Sequence, residues 1–167
     1  MEIVTKREFE QVVQQRFLRP MGMRGTTFQY DYDKGINAAN GAYSTAADYM
    51  NFLSMLLGKG MFKGKRILSE KAVETLEQLQ IDQAHVKFAP EVVKGASYAF
   101  GSWVLEQDAN GKPTCFTSPS FTGIWPVLDI CRGYASVIFV KSTDLDEKKV
   151  LFDEVKKIID AQLPCGN

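Results

Sequence analysis

Two candidate nucleophiles, Cys115 and Ser118, lie close together in one stretch. Cys115 is followed by Phe116-Thr117-Ser118-Pro119-Ser120-Phe121-Thr122-Gly123 and then by the apolar run Ile124 to Leu128, closed by Asp129. A serine or cysteine attacks a carbonyl when a neighbouring base takes its proton and backbone N–H groups hold the oxyanion that forms. Small hydroxyl residues and a glycine leave room for a ligand to reach the backbone. The base is the difficulty. The chain has 1 histidine, His85, remote in sequence from Cys115 and Ser118 and outside any metal-ligand pattern. It reads as a solvated loop residue. On residues alone, a plain hairpin strand preceded by turn residues accounts for the stretch as readily as a site does. Pro119 has no N–H, so the strand that carries it is expected at a sheet edge or beside a bulge.

Composition narrows the class. The 167 residues are 45% hydrophobic and 24% charged, which suits a soluble globular chain with a sizeable core. Twenty basic residues balance 20 acidic ones, so long-range attraction to nucleic acid or anionic lipid has no support. No apolar run approaches the roughly 20 residues of a membrane span. The first residues, Met-Glu-Ile-Val-Thr-Lys-Arg-Glu, lack the apolar core of a secretory signal. The 3 cysteines, Cys115, Cys131 and Cys165, give no disulfide framework by count. A Cys115–Cys131 bridge is open but nothing in the sequence favours it.

The positioning elements follow from pattern. Thr5 and Glu8 have capping-box spacing ahead of Phe9, Val12, Val13 and Phe17, a helical stripe that Pro20 ends. Residues 24–40 read as a long surface excursion pinned by Phe28, Tyr30 and Tyr32. Ser44 or Thr45 caps a second helix with Met50, Leu53 and Leu57 inward, and Asp48 complements its first turn. Gly58 to Lys65 reads as a solvated basic turn. Ser69 caps a third helix, and residues 81–96 read as another loop. Tyr98 to Leu105 alternates as a strand. Asp108 to Gly111 is a turn signal, and Thr114 to Thr117, Ile124 to Ile130 and Tyr134 to Lys141 continue an antiparallel meander of about four strands. Ser142 to Asp144 caps a last helix with Leu151, Val155, Ile158 and Ile159 expected inward. Three helices, a run of antiparallel strands and a C-terminal helix make an α+β chain. It is expected as a single domain or part of one, residues 1–96 mainly helix and loop and 97–167 strands plus helix. A meander this narrow leaves an open sheet edge, where self-association is expected.

Several of these segments resemble, in order, the serine β-lactamase-like hydrolases: class C β-lactamases, D-alanyl-D-alanine peptidases and related esterases. Pro20-Met21-Gly22-Met23 with Thr26-Thr27-Phe28 resembles their PLGM..T.F segment. Gly41 to Asp48 is similar to G.YSTA.D, and Leu56 to Gly60 with Gly64 to Ser69 to the next stretch. Tyr98 to Trp103 resembles Y.[LF]G.W, and Ser118 to Asp129 falls where the third catalytic motif and the following strand lie. The resemblance implies the C-terminal half of the β-lactamase/transpeptidase-like fold, an acyl-transfer chemistry on a small ester or amide substrate, no cofactor and no metal, and a periplasmic or extracytoplasmic setting.

The departures are chemical. No Ser-x-x-Lys, the family's nucleophile motif, occurs anywhere in the chain. No tyrosine precedes Pro20 to supply the second motif. By resemblance the substrate-cleft residues are Ser118, Ser120, Phe121, Thr122 and Gly123. Ser118-Pro119-Ser120 stands where the family has a cation, a hydroxyl residue and a glycine, with Phe121 N–H as the oxyanion donor. Phe121-Thr122-Gly123 is a rival register. No catalytic residue is assigned, and the chain alone is expected to be inactive; a non-catalytic binding module on the same scaffold is the alternative.

Overall fold

The computed structural model describes residues 1–28, 35–39, 41–120, 123–140 and 145–166, with the side chains of 145–148 excepted. They form two compact units, Met1–Ser69 and Glu70–Asn167. Tyr30, Tyr32 and the Ser142 to Asp144 cap lie outside the described residues.

In the first unit a helical turn α1 (Glu2–Thr5) precedes α2 (Phe9–Val13), which continues as a π-helical segment Gln14–Leu18 and a 3₁₀ turn Arg19–Met21. The expected capping box does not form. Thr5 belongs to α1 and its hydroxyl donates to Met1 O, while Glu8 itself is the N-cap of α2 without a side-chain bond. Glu2 takes over instead, its Oε1 accepting Phe9 N–H at 2.7 Å. The helical run ends as expected beside Pro20, with Gly22 in the left-handed region at φ 71°. Helix α3 (Ala46–Leu57) is capped by Thr45, whose Oγ1 accepts Asp48 N–H at 3.1 Å.

The Gly/Lys-rich turn is not a loop. It is a hairpin of β1 (Met61–Phe62) and β2 (Lys65–Arg66), turned at Lys63 and Gly64, both with positive φ. Two central residues with positive φ suit the right-handed twist of paired strands. Leu18, Met21, Met23, Met55 and Phe62 are the buried core of this unit.

The second unit opens with α4 (Glu70–Leu76), and its sheet has the order β3-β4-β5-β6-β7, all antiparallel. Tyr98 to Leu105 is two strands, not one: β3 (Ser97–Tyr98) turns at Gly101 (φ 80°) and returns as β4 (Trp103–Gln107). Alternation cannot register such a turn when both arms keep the same period. The Asp108 turn forms as read, its Oδ1 accepting the N–H groups of Asn110 at 2.8 Å and Lys112 at 2.9 Å. β5 (Pro113–Thr117), β6 (Ile124–Asp129) and β7 (Tyr134–Phe139) complete five strands where about four were expected.

Helix α5 (Leu145–Gln162) covers one face of this sheet, where Phe152 stacks on Trp125 with ring centroids 4.7 Å apart. Its expected inner face holds only in part, since Val155 and Ile159 are half-buried. Leu151 is 46% and Ile158 67% exposed, whereas Phe152 is 1% exposed and shares its stripe with Lys156 and Asp160. The segment before the sheet also contributes, since Val92 and Val93 of a 3₁₀ turn join Cys115, Trp125, Val127 and Phe152 in the core. No helix among the described residues is long and apolar enough to cross a membrane.

Candidate functional site

The end of β5 decides how the Ser118 to Gly123 stretch is presented. Val140 N–H donates to Gly123 O, which fixes the alternation: odd residues of β6 bond to β7, and even ones turn towards β5. Pro126 is therefore turned to β5 with no N–H to give. The β5–β6 register stops at Phe116↔Leu128. At the next position the Thr117 hydroxyl donates to Pro126 O at 2.6 Å in place of a ladder bond. Beyond it the chain peels off the sheet. The interior proline thus does what was expected of Pro119, while β6 itself is not an edge strand: it lies between β5 and β7.

The peeled segment closes as a narrow hairpin. Ser120 N–H donates to Ile124 O at 2.9 Å and Gly123 N–H donates to Ser120 O at 3.0 Å. Gly123 has φ 92°, and a Cβ there would stand 2.0 Å from Val140 O. Its missing side chain makes room for the protein's own backbone. Ser118 is exposed and Ser120 half-buried. Phe121 and Thr122 lie outside the described residues. The other nucleophile candidate is ruled out on chemistry: Cys115 is fully buried, and burial pushes its thiol well above the usual range. His85 is exposed in a 3₁₀ turn.

A second polar centre was not foreseen. On the α5 side of the sheet, Arg132 Nη1 donates to Asp129 Oδ2 at 2.8 Å and to Glu106 Oε2 at 2.7 Å. Lys156 Nζ donates to Glu106 Oε1 and, at 2.6 Å, to Asp160 Oδ2, and Tyr134 O–H donates to Asp160 Oδ1 at 2.9 Å. Asp129 is 0% and Lys156 13% exposed at the side chain. Burial opposes ionisation of Glu106, but the bonds from Lys156 and Arg132 outweigh it and hold the carboxyl below its ordinary range. Burial likewise works against the Lys156 charge, and Asp160 and Glu106 reverse the effect and raise it. Tyr134 is raised by burial and by Asp160. Ligand atoms of Glu106, Cys115 and Asp129 lie within 4.8 Å of one another. Both carboxylates already bind cations of the protein and the thiol stays protonated, so this donor set is an ion-pair network rather than a metal centre.

In the first unit the two motif-like segments are tied into one knot. Asp48 Oδ2 accepts Gly25 N–H and Thr26 Oγ1–H, each at 2.8 Å, and Thr26 and Ser44 share a hydroxyl bond of 2.8 Å. Glu10 accepts Thr27 O–H at 2.8 Å and Phe28 N–H at 3.0 Å. Thr27 and Tyr43 exchange both backbone bonds of a bridge. A Cβ at Gly25 would approach Thr45 Cγ2 to 2.9 Å, so glycine lets the two segments close. These residues hold the scaffold. An open depression of about 400 Å³ in this unit is lined by Glu2, Lys6, Arg7, Glu8 and Gln11, without the apolar walls of a small-molecule pocket.

This architecture recurs in known proteins. The chain is similar to a β-lactamase from Mycobacterium bovis (TM-score 0.73, 18% identity, 96% of this chain and 58% of that one). It is also similar to simvastatin synthase from Aspergillus terreus (TM-score 0.68, 20% identity, 99% of this chain and 52% of that one). An octameric penicillin-binding protein homologue from Pyrococcus abyssi aligns with TM-score 0.64 and 16% identity over 98% of this chain and 41% of that one. In sequence, the Mycobacterium tuberculosis protein Rv1367c is 34% identical over 94 residues, 54% of this chain and 23% of that protein. The chain thus matches about a quarter of that relative's length and about half that of the solved structures. The family model described as Beta-lactamase matches residues 1–158. With a serine-hydrolase fold of the β-lactamase/transpeptidase type, the chain belongs to the beta-lactamase family.

Proposed function

We propose that this chain is a partial acyl-transfer hydrolase of the esterase or peptidase type, one that carries the scaffold and a substrate-cleft hairpin but no nucleophile, and that the 167-residue chain alone does not turn over substrate. The observation that carries the reading is a family match over residues 1–158 in a sequence with no Ser-x-x-Lys. Without that pair nothing activates a hydroxyl, and an oxyanion donor alone stabilises a state that is never reached. Ser118, Ser120, Phe121, Thr122 and Gly123 are the residues proposed to line the cleft. Their segment has no cation where the family has one, so a penicillin-type carboxylate finds no charge partner there. A small ester or amide is the substrate class proposed for a complete enzyme.

The second reading is a non-catalytic binding module. It is favoured by the intact Asp48 and Glu10 knot in a chain without a nucleophile: the scaffold bonds remain where the chemistry does not. Fold does not dictate function. An open sheet edge at which copies of the chain associate belongs to this reading. Hydrolysis of a chromogenic ester by the purified chain separates the proposals from an active enzyme. No rate above buffer is expected; saturable turnover that survives repurification would overturn both readings. An absent rate together with a dimer or higher oligomer in light scattering coupled to size exclusion selects the binding module.

A further inference from the structure

We propose that the Cys131–Cys165 disulfide is a thiol-sensitive latch that holds the C-terminal half of α5 on the sheet. The two cysteines are bonded across 34 residues, with Cα atoms 5.1 Å apart, inside the ordinary range for a disulfide. Cys131 sits in the β6–β7 turn, and Cys165 follows the end of α5. The pairing replaces the Cys115–Cys131 bridge left open by the sequence, and Cys115 is the free, buried thiol.

What else holds this half of the helix is limited: Val155 and Ile159 are half-buried, and no apolar side chain after Phe152 is fully buried among the described residues. Phe152 is the buried apolar anchor, and it lies towards the helix start. One turn on, the contacts are ionic: Lys156 to Glu106 and Asp160, and Tyr134 to Asp160. Arg132 Nε stands 3.5 Å from Asp160 Oδ1 as an ion pair without a hydrogen bond, and it has no other partner. Partly buried ion pairs recover little beyond the desolvation they cost. Residues 161–164 are exposed, so the tail reaches Cys165 without burying itself. The covalent tie therefore completes what a half-buried apolar stripe does only in part. Cys165 is exposed, so an external thiol can reach the bond.

The chemistry balances with two equivalents of a small thiol. A thiolate attacks the sulfur of Cys165, the S–S bond breaks and Cys131 leaves as thiolate. A second thiol displaces Cys165 from the mixed disulfide. The two external thiols end as one disulfide, and their protons end on Cys131 and Cys165. The released half-helix then uncovers Asp129 and Cys115, while the half that carries Phe152 stays on Trp125.

The test uses the full chain, purified without reductant. Alkylation under native conditions followed by mass analysis is expected to modify no cysteine, and peptide mapping to recover Cys131 joined to Cys165. Reduction is expected to speed amide hydrogen exchange over Lys156–Gln162 at least about tenfold, with β6 and β7 little changed. Cys165→Ser is expected to show the fast exchange without thiol and no response to it. Alkylation of Cys131 and Cys165 in the unreduced native chain would overturn the latch. So would unchanged exchange in α5 after reduction, or equal acceleration across β6, β7 and α5, which would make the bond a global staple.

Discussion

Two buried carboxylates, one in each unit, are neutralised in opposite ways. Asp48 is held by a backbone amide and a hydroxyl that come from Gly25 and Thr26. Asp129 accepts one backbone N–H, from Arg132, and beside it faces full charges, the Arg132 guanidinium at 2.8 Å and the Lys156 ammonium at 3.7 Å. Neutral donors turn a carboxylate into the hub of a rigid loop crossing without introducing a second charge to desolvate. Charged donors do the reverse: each partner is itself costly to bury, so the network persists only while all of its members are present. The first arrangement joins two short segments, each with its own local pattern. The second joins β4, β6, β7 and α5.

That contrast can be broken at each end. Asp129→Ala takes from Arg132 a charge-assisted bond and the acceptor of its backbone N–H, leaving the guanidinium only Glu106 and Asp160, and should destabilise the second unit by about 3–5 kcal/mol in denaturant unfolding. A loss below about 1 kcal/mol would show that the network is solvated and carries nothing. Asp48→Ala leaves Gly25 N–H and Thr26 O–H without their acceptor and should cost the first unit about 2–3 kcal/mol by the same measurement. Asp48→Asn, which keeps an acceptor, should recover part of it. If the two Asp48 substitutions are equally costly, charge rather than acceptor geometry matters at that position.

Gly123→Ala should cost about 1–3 kcal/mol, because φ 92° and Val140 O both oppose a side chain. A neutral result would mean that the hairpin relaxes freely.

Titration sharpens the same comparison. Glu106 has a folded pKa below its ordinary 4.5, so its contribution is present above that pH and is lost as pH falls through the lowered value. Lys156 is raised from 10.5 and Tyr134 from 10.0, so their contributions are present below those values and are lost as pH rises through the raised ones. Thermal stability of the second unit should hence be level from about pH 5 to pH 9 and fall on both sides. A maximum confined to one side would remove either the carboxylate or the ammonium from the account. The smallest effect is expected on the outer face of α5. Leu151→Ser and Ile158→Ser should each change stability by no more than about 0.5 kcal/mol, since both side chains are exposed.

These same residues show what a sequence can disclose. The Thr45 cap, the Asp108 turn and the strands through Trp125 and Ile138 were legible because each is written within a few neighbouring residues. The family was legible because its motif-like segments keep their order, and in the first unit those segments prove to be scaffold bonds. The inner face of α5 is legible only in part, through Val155 and Ile159. Leu151 and Ile158 satisfy apolar periodicity, yet the helix presents Phe152, Lys156 and Asp160, since the sheet beneath offers charges as well as Trp125. Glu106 and Lys156 are partners 50 residues apart, and no local pattern ties them. The Cys131–Cys165 pair was hidden for the same reason, because three cysteines alone do not say which two meet. The hairpin at Lys63 and Gly64 reads as a turn without strands because its strands are two residues long. Pro126, the residue that frees the Ser118 segment, matters only once β6 is known to lie between two neighbours.

The proposed function gives this family member a cleft without a nucleophile. Intact-mass analysis of the purified chain after exposure to a fluorophosphonate and, separately, to a penicillin tests it most directly. No adduct is expected with either reagent under conditions that label a complete serine hydrolase stoichiometrically. A single stoichiometric adduct mapped to one serine, at Ser118 or Ser120 above all, would contradict it and return the chain to the active enzymes.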